Sequence, residues 1–533
     1  WHRFRGDVFL SGRTPAVVPG KFVPVWNSPP QAYAVRGQVQ HKGWVYTVQD
    51  GTGAKGGYCS AYDAFTGAAG PIVQPTAESI DASPVISPDD VLYFAQRSGA
   101  GKTSLFSYLL PSLTLRWSYQ MNSSNGFEAV KLSPAFMGNG FLFLGNDYGD
   151  FRGIFTGSLP ATPWIFPEAI NSQAGGAAVL MNGDVVYVVK RAIANVVCLT
   201  ADGAIRWTQT LAGTPSALPY ASPVAVRPDG RILVAVNDLN LLDPVSGVVA
   251  WTTPMTPAPT GIAVDADGTA YVSRGTVVSA VNAGGSILWT TTVGGGAATE
   301  IAPPVIAGGN RVVVSCKLGT TDDGVQLLRA SDGAFLWDWR AGLGSVFANN
   351  LTSPIVTPEG WMYFSADNET FGFSVPPVLS LHKRGDVPVA CAGTVVTYTV
   401  SWSNSTAMTA ATFAIYDTLP NGTAYSKPSL VVRAPAGATV TPMFSAVLGG
   451  AWLAGEPADG TPGPLILRWV VSPVGRFASG ELMYAVRISA TLIAGGLVLF
   501  VIAINDIVTF DRKTRQVDHD SLGAVPLGVP MIV

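Results

Sequence analysis

An all-β protein in two unequal parts is what the sequence predicts, and three observations predict it. One unit of strand, tight turn, strand, loop, strand, turn and strand recurs along the first 375 residues and closes repeatedly on tryptophan. The composition is that of a turn-rich β chain, with 59 Gly and 39 Pro but only 13% charged residues. A disordered chain would be rich in charge and poor in aromatics. After Pro376-Pro377 the repeat stops and longer strands with period-two alternation begin. A chain of 533 residues also exceeds what one ordinary core holds.

The repeat is clearest from Ser222 to Val236, continuing through Asn240 to Trp251. Pro228-Asp-Gly230 separates two apolar runs, and Gly accepts the positive φ that such a hairpin turn needs. Closing tryptophans stand at Trp26, Trp117, Trp164, Trp207, Trp251, Trp289 and Trp337, and Ile72 is assigned to the one vacant slot. The spacing, roughly 40–50 residues, is that of four-stranded propeller blades. Eight second strands keep step, among them Trp44-Val-Tyr46, Val91-Leu-Tyr93, Val185-Val-Tyr187 and Met362-Tyr-Phe364. The last unit, Phe347 to Val375, has three strands and no tryptophan of its own to close it, while Phe22-Val-Pro-Val-Trp26 offers a fourth. The expected fold over 1–375 is therefore an eight-bladed β-propeller with its closing strand from the N-terminus, a closure that removes exposed sheet edges.

With the Trp-closed repeat, Ala61-Tyr-Asp-Ala-Phe-Thr-Gly67, and the lead-in Trp1-His-Arg-Phe-Arg-Gly-Asp7, this segment resembles the pyrroloquinoline-quinone-type repeat propellers. That group includes the outer-membrane assembly lipoprotein propeller and the quinoprotein dehydrogenases. For the enzymes the resemblance implies a quinone on a Trp floor beneath a vicinal disulfide, with calcium and a catalytic Asp. The sequence has no Cys-Cys pair, and Asp265-Ala-Asp-Gly268 reads as a hairpin turn in place of a calcium loop. His2, His41, His382 and His519 are far apart, with no nucleophile motif around them. The expectation is a non-enzyme with no cofactor and no metal, since a propeller by itself dictates no activity.

Net charge is −3 with no basic block, which argues against nucleic acid and suits an extracellular surface. Cys59, Cys198, Cys316 and Cys391 are scattered through apparent strands, so neither a zinc site nor a disulfide framework is expected. The apolar run from Ile488 to Ile504 is broken by Ala494-Gly495-Gly496 and is rich in Val and Ile. It reads as two buried strands, shorter than the ~20 residues of a spanning helix. A start at Trp1 reads either as a mature form after signal-peptide removal or as a trimmed chain, and with Trp in place of Cys at that position nothing supports an N-terminal lipid anchor.

Residues 376–521 are expected to form an immunoglobulin-type β-sandwich. Lys383-Arg-Gly-Asp386, Gly393-Thr-Val-Val-Thr-Tyr-Thr-Val400, Tyr416-Asp-Thr-Leu-Pro420 and Ile504-Asn505 resemble the surface-protein repeat domain known as DUF11, which implies secreted stalk or scaffold roles. Leu379, Leu381 and Lys383 share one strand face; Phe413, Ile415, Asp417 and Leu419 share another; Asn505 keeps parity with Val501 and Ala503. A lysine, a carboxylate and a carboxamide pointing into one core are costly unless paired. Desolvation favours a neutral lysine amine, so a Lys383–Asn505 isopeptide bond with Asp417 shuttling protons is one reading. The other has Lys383 reaching solvent and Asp417 capping a turn.

In the tail, 522–533, Val525, Leu527, Val529, Met531 and Val533 form an apolar row, with Pro526, Gly528 and Pro530 on the other parity. Such a strand pairs fully along one edge only. It is either the last strand of its own sandwich or a strand donated to a neighbouring subunit. Sequons at Asn122, Asn350, Asn368, Asn404 and Asn421 would permit glycosylation of a secreted chain. Taken together, the expected function is that of a secreted structural protein, a subunit of an extracellular assembly or filament that associates with itself or with other surface proteins. The alternative is a propeller-based module binding peptides or glycans.

Overall fold

The computed structural model describes residues 11–489, apart from 19, 52–55, 81, 98–101, 122–133, 137–139, 146–149, 158–160, 168–172, 190–193, 214–222, 297, 320–321, 343–350, 376–378, 388–391, 405–408, 411, 420, 447–449 and 477, together with 508–510 and 517–518. It divides into two units, Trp1–Ser374 and Val375–Val533. Strands are the dominant element among the described residues, and the one helix among them is a short 3-10 turn at Val293–Gly296.

Among the described residues of the first unit the strands form eight sheets, all but one four-stranded. Sheets I to VIII start at Val35, Val85, Ala135, Gln173, Val224, Pro259, Ala298 and Ile355 in turn. Sheet I shows the pattern: Val35–His41, Trp44–Gln49, Tyr58–Asp63 and Ala69–Val73 pair antiparallel in chain order. Its second and third strands are buried nearly throughout, whereas no residue of Ala69–Val73 is buried, three being half-buried and two exposed. Strands buried on both faces tolerate continuous apolar runs, which explains why the second strands read as Val, Leu, Tyr and Phe without strict alternation.

The turns before the outer strands are built by side chains. Asp243 Oδ1 accepts the backbone N–H of Val245 at 3.0 Å and of Ser246 at 2.9 Å, and Gly247 follows at φ 73°. Asp63 holds Phe65 and Thr66 the same way, ahead of Gly67 at φ 71°. These Asx turns fix where each outer strand starts.

Contacts run from sheet to sheet. One apolar cluster joins sheets I and II through Tyr46, Cys59, Phe94 and Tyr108. Others join II with III, III with IV, IV with V, V with VI and VI with VII. The chain start supplies two strands to the far end of the series. Val23–Asn27 pairs antiparallel with Glu369–Ser374 and becomes the outer strand of sheet VIII. Arg13–Val17 pairs parallel with Val305–Gly308 of sheet VII, and Ser11 O also accepts the N–H of Val264 in sheet VI at 2.8 Å. This parallel strand was not expected from the sequence. It fits because a side chain at Gly308 would lie 2.8 Å from Pro15 O.

The vacant tryptophan slot also differs from expectation. Tryptophan stands four residues beyond the turn residue at Gly203, Gly247, Gly285 and Gly333, and in sheet I that position is Pro71. Ile72 instead pairs across from Ser60 and is 59% exposed. The space is taken by Trp44 from the second strand, whose ring would be 2.4 Å from a methyl at Gly70.

In the second unit two sheets share one core. One orders Leu379–Gly385, Val395–Asn404, Ser479–Ile488 and Thr423–Arg433; the other is centred on Leu465–Ser472 and Phe413–Leu419. Val396, Tyr398, Val400 and Trp402 of the first sheet meet Phe413, Ile415, Leu467 and Trp469 of the second. Strict alternation along Val395–Asn404 makes this possible, because successive side chains point to opposite faces.

Candidate functional site

The first unit carries one device repeatedly: an outer-strand tryptophan locks onto the turn of the next sheet. Trp207 Nε1 donates to Pro244 O at 3.0 Å, Trp251 Nε1 to Ala283 O at 3.3 Å, and Trp289 Nε1 to Ala330 O at 2.9 Å. Trp117 Nε1 does the same to Gly157 O at 3.1 Å. The indole face lies on the turn glycine: a methyl at Gly247 would meet Trp207 at 2.5 Å, and one at Gly333 would meet Trp289 at 2.6 Å. Indole packs a large apolar face and still needs an acceptor for its N–H, and the turn supplies both surfaces.

Trp26 applies this device between sheet VIII and sheet I. Its Nε1 donates to Ala64 O at 3.0 Å, and Tyr363 OH donates to the same oxygen at 3.0 Å. Phe22 packs on Trp337 at 5.9 Å between ring centroids, while Trp339 packs on Phe371 at 4.8 Å and Phe373 at 4.9 Å. The N-terminal segment itself is held by Phe22 on Trp337 of sheet VII and by Trp26 on Tyr62 of sheet I and Tyr363 of sheet VIII.

The second unit contains a buried polar cluster. Lys383 Nζ lies 2.5 Å from Asp417 Oδ2, with their side chains 8% and 5% exposed. Tyr484 OH donates to the same Asp417 oxygen, and Thr418 N–H donates to Asp417 Oδ1 at 2.9 Å. The ammonium also stands 4.2 Å from the ring centroid of Tyr398. Burial, reinforced by the Asp417 charge, raises the Tyr484 hydroxyl well above its ordinary range, so it remains a donor. Burial pushes Tyr398 up to about 12. The strand parities bring Lys383 and Asp417 together; Asn505 lies outside the described residues. Tyr484 and Tyr398 were missed as members, since aromatics at core parity read as packing alone. Their cross-strand pairing is what places both beside the amine.

Other sequence-derived candidates separate. Val525, Leu527, Val529, Met531 and Val533 lie outside the described residues, as do Asn122 and Asn350. Asn421 is exposed in a turn. Asn368 is partly buried and donates to Gln31 O at 2.5 Å. Asn404 is 1% exposed and donates to Gly475 O at 3.1 Å. Asp265 and Asp267 spend their carboxylates on the N–H groups of Ala266 and Thr269 within a hairpin turn. Among the described residues no group of three or more His, Cys, Asp and Glu side chains is placed to hold a metal ion, and no helix is long and apolar enough to cross a membrane. Cys59, Cys198 and Cys316 are buried free thiols, with burial pushing Cys198 and Cys316 up to about 12. Cys391 lies outside the described residues. A shallow trough of about 490 Å³ crosses the outer face of one sheet of the second unit, walled by His382, Ser401, Ser403, Arg433, Ser479 and Glu481.

The architecture of the first unit is that of a β-propeller. The family described as outer membrane protein assembly factor BamB matches residues 235–374. Among solved structures, BamB from Moraxella catarrhalis is 16% identical with a TM-score of 0.46, covering 66% of this chain and 100% of its own. Saccharomyces cerevisiae Sqt1 is 10% identical with a TM-score of 0.51, covering 68% and 100%. A protein of unknown function from Bacteroides caccae is 13% identical with a TM-score of 0.33, covering 50% and 98%. No curated protein matches the chain in sequence.

Proposed function

We propose that this chain is a secreted, non-enzymatic structural protein. In this reading it is an eight-bladed propeller closed by its own N-terminal strand and followed by an immunoglobulin-like, DUF11-like sandwich. The two would enter an extracellular assembly or filament joined by strand donation from 522–533, with copies of the chain or other surface proteins as partners. The observation that carries the reading is the repeated tryptophan lock. Polar groups at the sheet turns are spent on holding neighbouring sheets together, as a rigid assembly body requires. The match of 235–374 to an assembly-factor family points the same way. Electron microscopy of the native material tests it: repeating polymers support the reading and discrete monomers overturn it. Deleting 522–533 then addresses the joint. A folded, strictly monomeric product supports donation, and an unfolded sandwich assigns the tail to its own domain.

The same proposal gives Lys383 a covalent role. With Asp417 accepting one ammonium proton, the neutral amine attacks the Asn505 side-chain carbonyl and an N–C bond forms. The C–N bond to the carboxamide nitrogen breaks, that nitrogen leaves as ammonia with one proton relayed by Asp417, and the amine's other lost proton remains on Asp417. No oxidant is needed. The buried Lys383–Asp417 pair supports this chemistry. An intact mass short by one ammonia is expected, and an unaltered mass overturns the bond.

A second reading, a peptide- or glycan-binding surface module, is favoured by the hydroxyl- and charge-walled trough on the second unit. Saccharide and peptide titrations of the full chain test it, with Ser401→Trp filling the trough; binding that this variant leaves unchanged rejects the trough as the site.

A further inference from the structure

The seam between sheet VIII and sheet I is unlike an apolar blade contact in its middle layer. Below lies an aromatic floor of Trp26, Tyr62 and Tyr363, with ring centroids 6.0–6.3 Å apart. Above it sheet I presents Gln38, Thr47 and Ser60 from three adjacent strands, directly opposite one another in register. Gln49 follows Thr47 on the same face, by the period-two rule. Sheet VIII answers with Ser28, Ser365 and Thr370. All seven are buried, none more than 4% exposed.

Part of this layer is fully bonded. Gln38 Nε2 donates to Tyr363 O at 3.0 Å, and Ser365 Oγ donates to Gln38 Oε1 at 2.6 Å. Ser365 and Thr370 hydroxyls are 3.0 Å apart, and Thr370 N–H donates to Ser28 Oγ at 3.0 Å. Ser60 Oγ, by contrast, has no hydrogen-bond partner among the described residues. Thr47 Oγ1 and both polar atoms of the Gln49 carboxamide have no partner among the described residues, although both residues are 0% exposed. A carboxamide with oxygen and nitrogen both unbonded is rare in a folded interior, and ordered water is the usual partner where such groups converge.

We propose that this ring-closing seam is a built solvent site, in which ordered waters bond Thr47 Oγ1 to the Gln49 carboxamide and to the Ser365–Thr370 hydroxyls. The consequence is directional. Apolar seams tolerate small slips, whereas a hydroxyl and water network accepts the closing strand Val23–Asn27 in one register, through Ser28 and Thr370. The inference rests on the seam geometry and is independent of any role in a filament.

A crystal structure of the full chain at a resolution that shows water tests it. Density within hydrogen-bond reach of both Thr47 Oγ1 and Gln49 is expected; a dry layer with Gln49 turned onto a protein partner overturns the proposal. Thr47→Val, nearly isosteric, supplies a second measurement on the intact protein. If the hydroxyl bonds water, the Tm falls by a few degrees. If the hydroxyl is dry and unbonded, its removal leaves the Tm unchanged or raises it, and the proposal fails.

Discussion

Trp26 donates its indole N–H to the carbonyl oxygen of Ala64 at 3.0 Å, and in doing so ties a strand that pairs with Glu369–Ser374 to the turn of the first sheet. One side chain thus joins the two ends of the repeat array. Trp26→Phe keeps most of the apolar contact and loses the bond, at about 1 kcal/mol. Trp26→Ala also leaves a cavity, at about 3–5 kcal/mol. Urea unfolding of the full chain measures both, and equal losses for the two variants would show that the bond rather than the packing dominates.

The turn glycines have separable roles. Gly67 has φ 71°, and an added methyl would stand 2.7 Å from the Trp26 ring. Gly183 has φ 87° with open space around it. Gly183→Ala therefore meets backbone strain alone, about 1 kcal/mol. Gly67→Ala meets the same strain and displaces the indole, so a loss larger by at least about 1 kcal/mol is expected. Thermal unfolding of the two variants side by side checks the difference.

How far these features were legible in the sequence depends on how local their causes are. The tryptophan spacing and the Asp-to-Gly turns are written within a few residues of each other, so sheet after sheet could be counted. Arg13–Val17 was invisible because its partner, Val305–Gly308, lies about 290 residues away and the strand holds Pro15. The slot given to Ile72 failed for a different reason. Trp44 fills the gap from a neighbouring strand, a substitution in space that no spacing along the chain reports. Strand parity places Lys383 and Asp417 on inward faces, whereas Tyr484 needed the cross-strand register before its hydroxyl could be placed.

Asp323 makes stability depend on pH. It is buried, and burial pushes its carboxyl up to about 6, with the Lys317 charge opposing that rise. The folded state therefore binds a proton more readily than the unfolded chain, whose aspartates titrate near 4. Between roughly pH 4 and 6 the native state holds the extra proton, so stability from this group falls as pH rises through that window. The full effect is of the order of 3 kcal/mol. Asp323→Asn is expected to flatten this part of the pH profile and to stabilise the protein at pH 7. A variant whose profile keeps the same slope would assign the pH dependence to other groups.

The Lys383–Asp417 pair makes the sharpest energetic contrast. Removing one member of a buried ion pair leaves the other desolvated and unpaired, typically at 3–5 kcal/mol, whereas replacing both with apolar groups often costs little. Lys383→Met leaves Asp417 5% exposed with only the Tyr484 hydroxyl and the Thr418 N–H as donors. Asp417→Leu leaves an ammonium over the Tyr398 ring with no carboxylate. Each single variant is expected to lose about 3–5 kcal/mol by the same rule. The double variant still strands the Tyr484 hydroxyl, at about 1–3 kcal/mol, so it should be more stable than either single one. A double-variant cycle measured by urea unfolding reads this directly. Additive losses would mean that the two groups do not interact in solution, and that the cluster around Tyr484 is held by its aromatic packing alone.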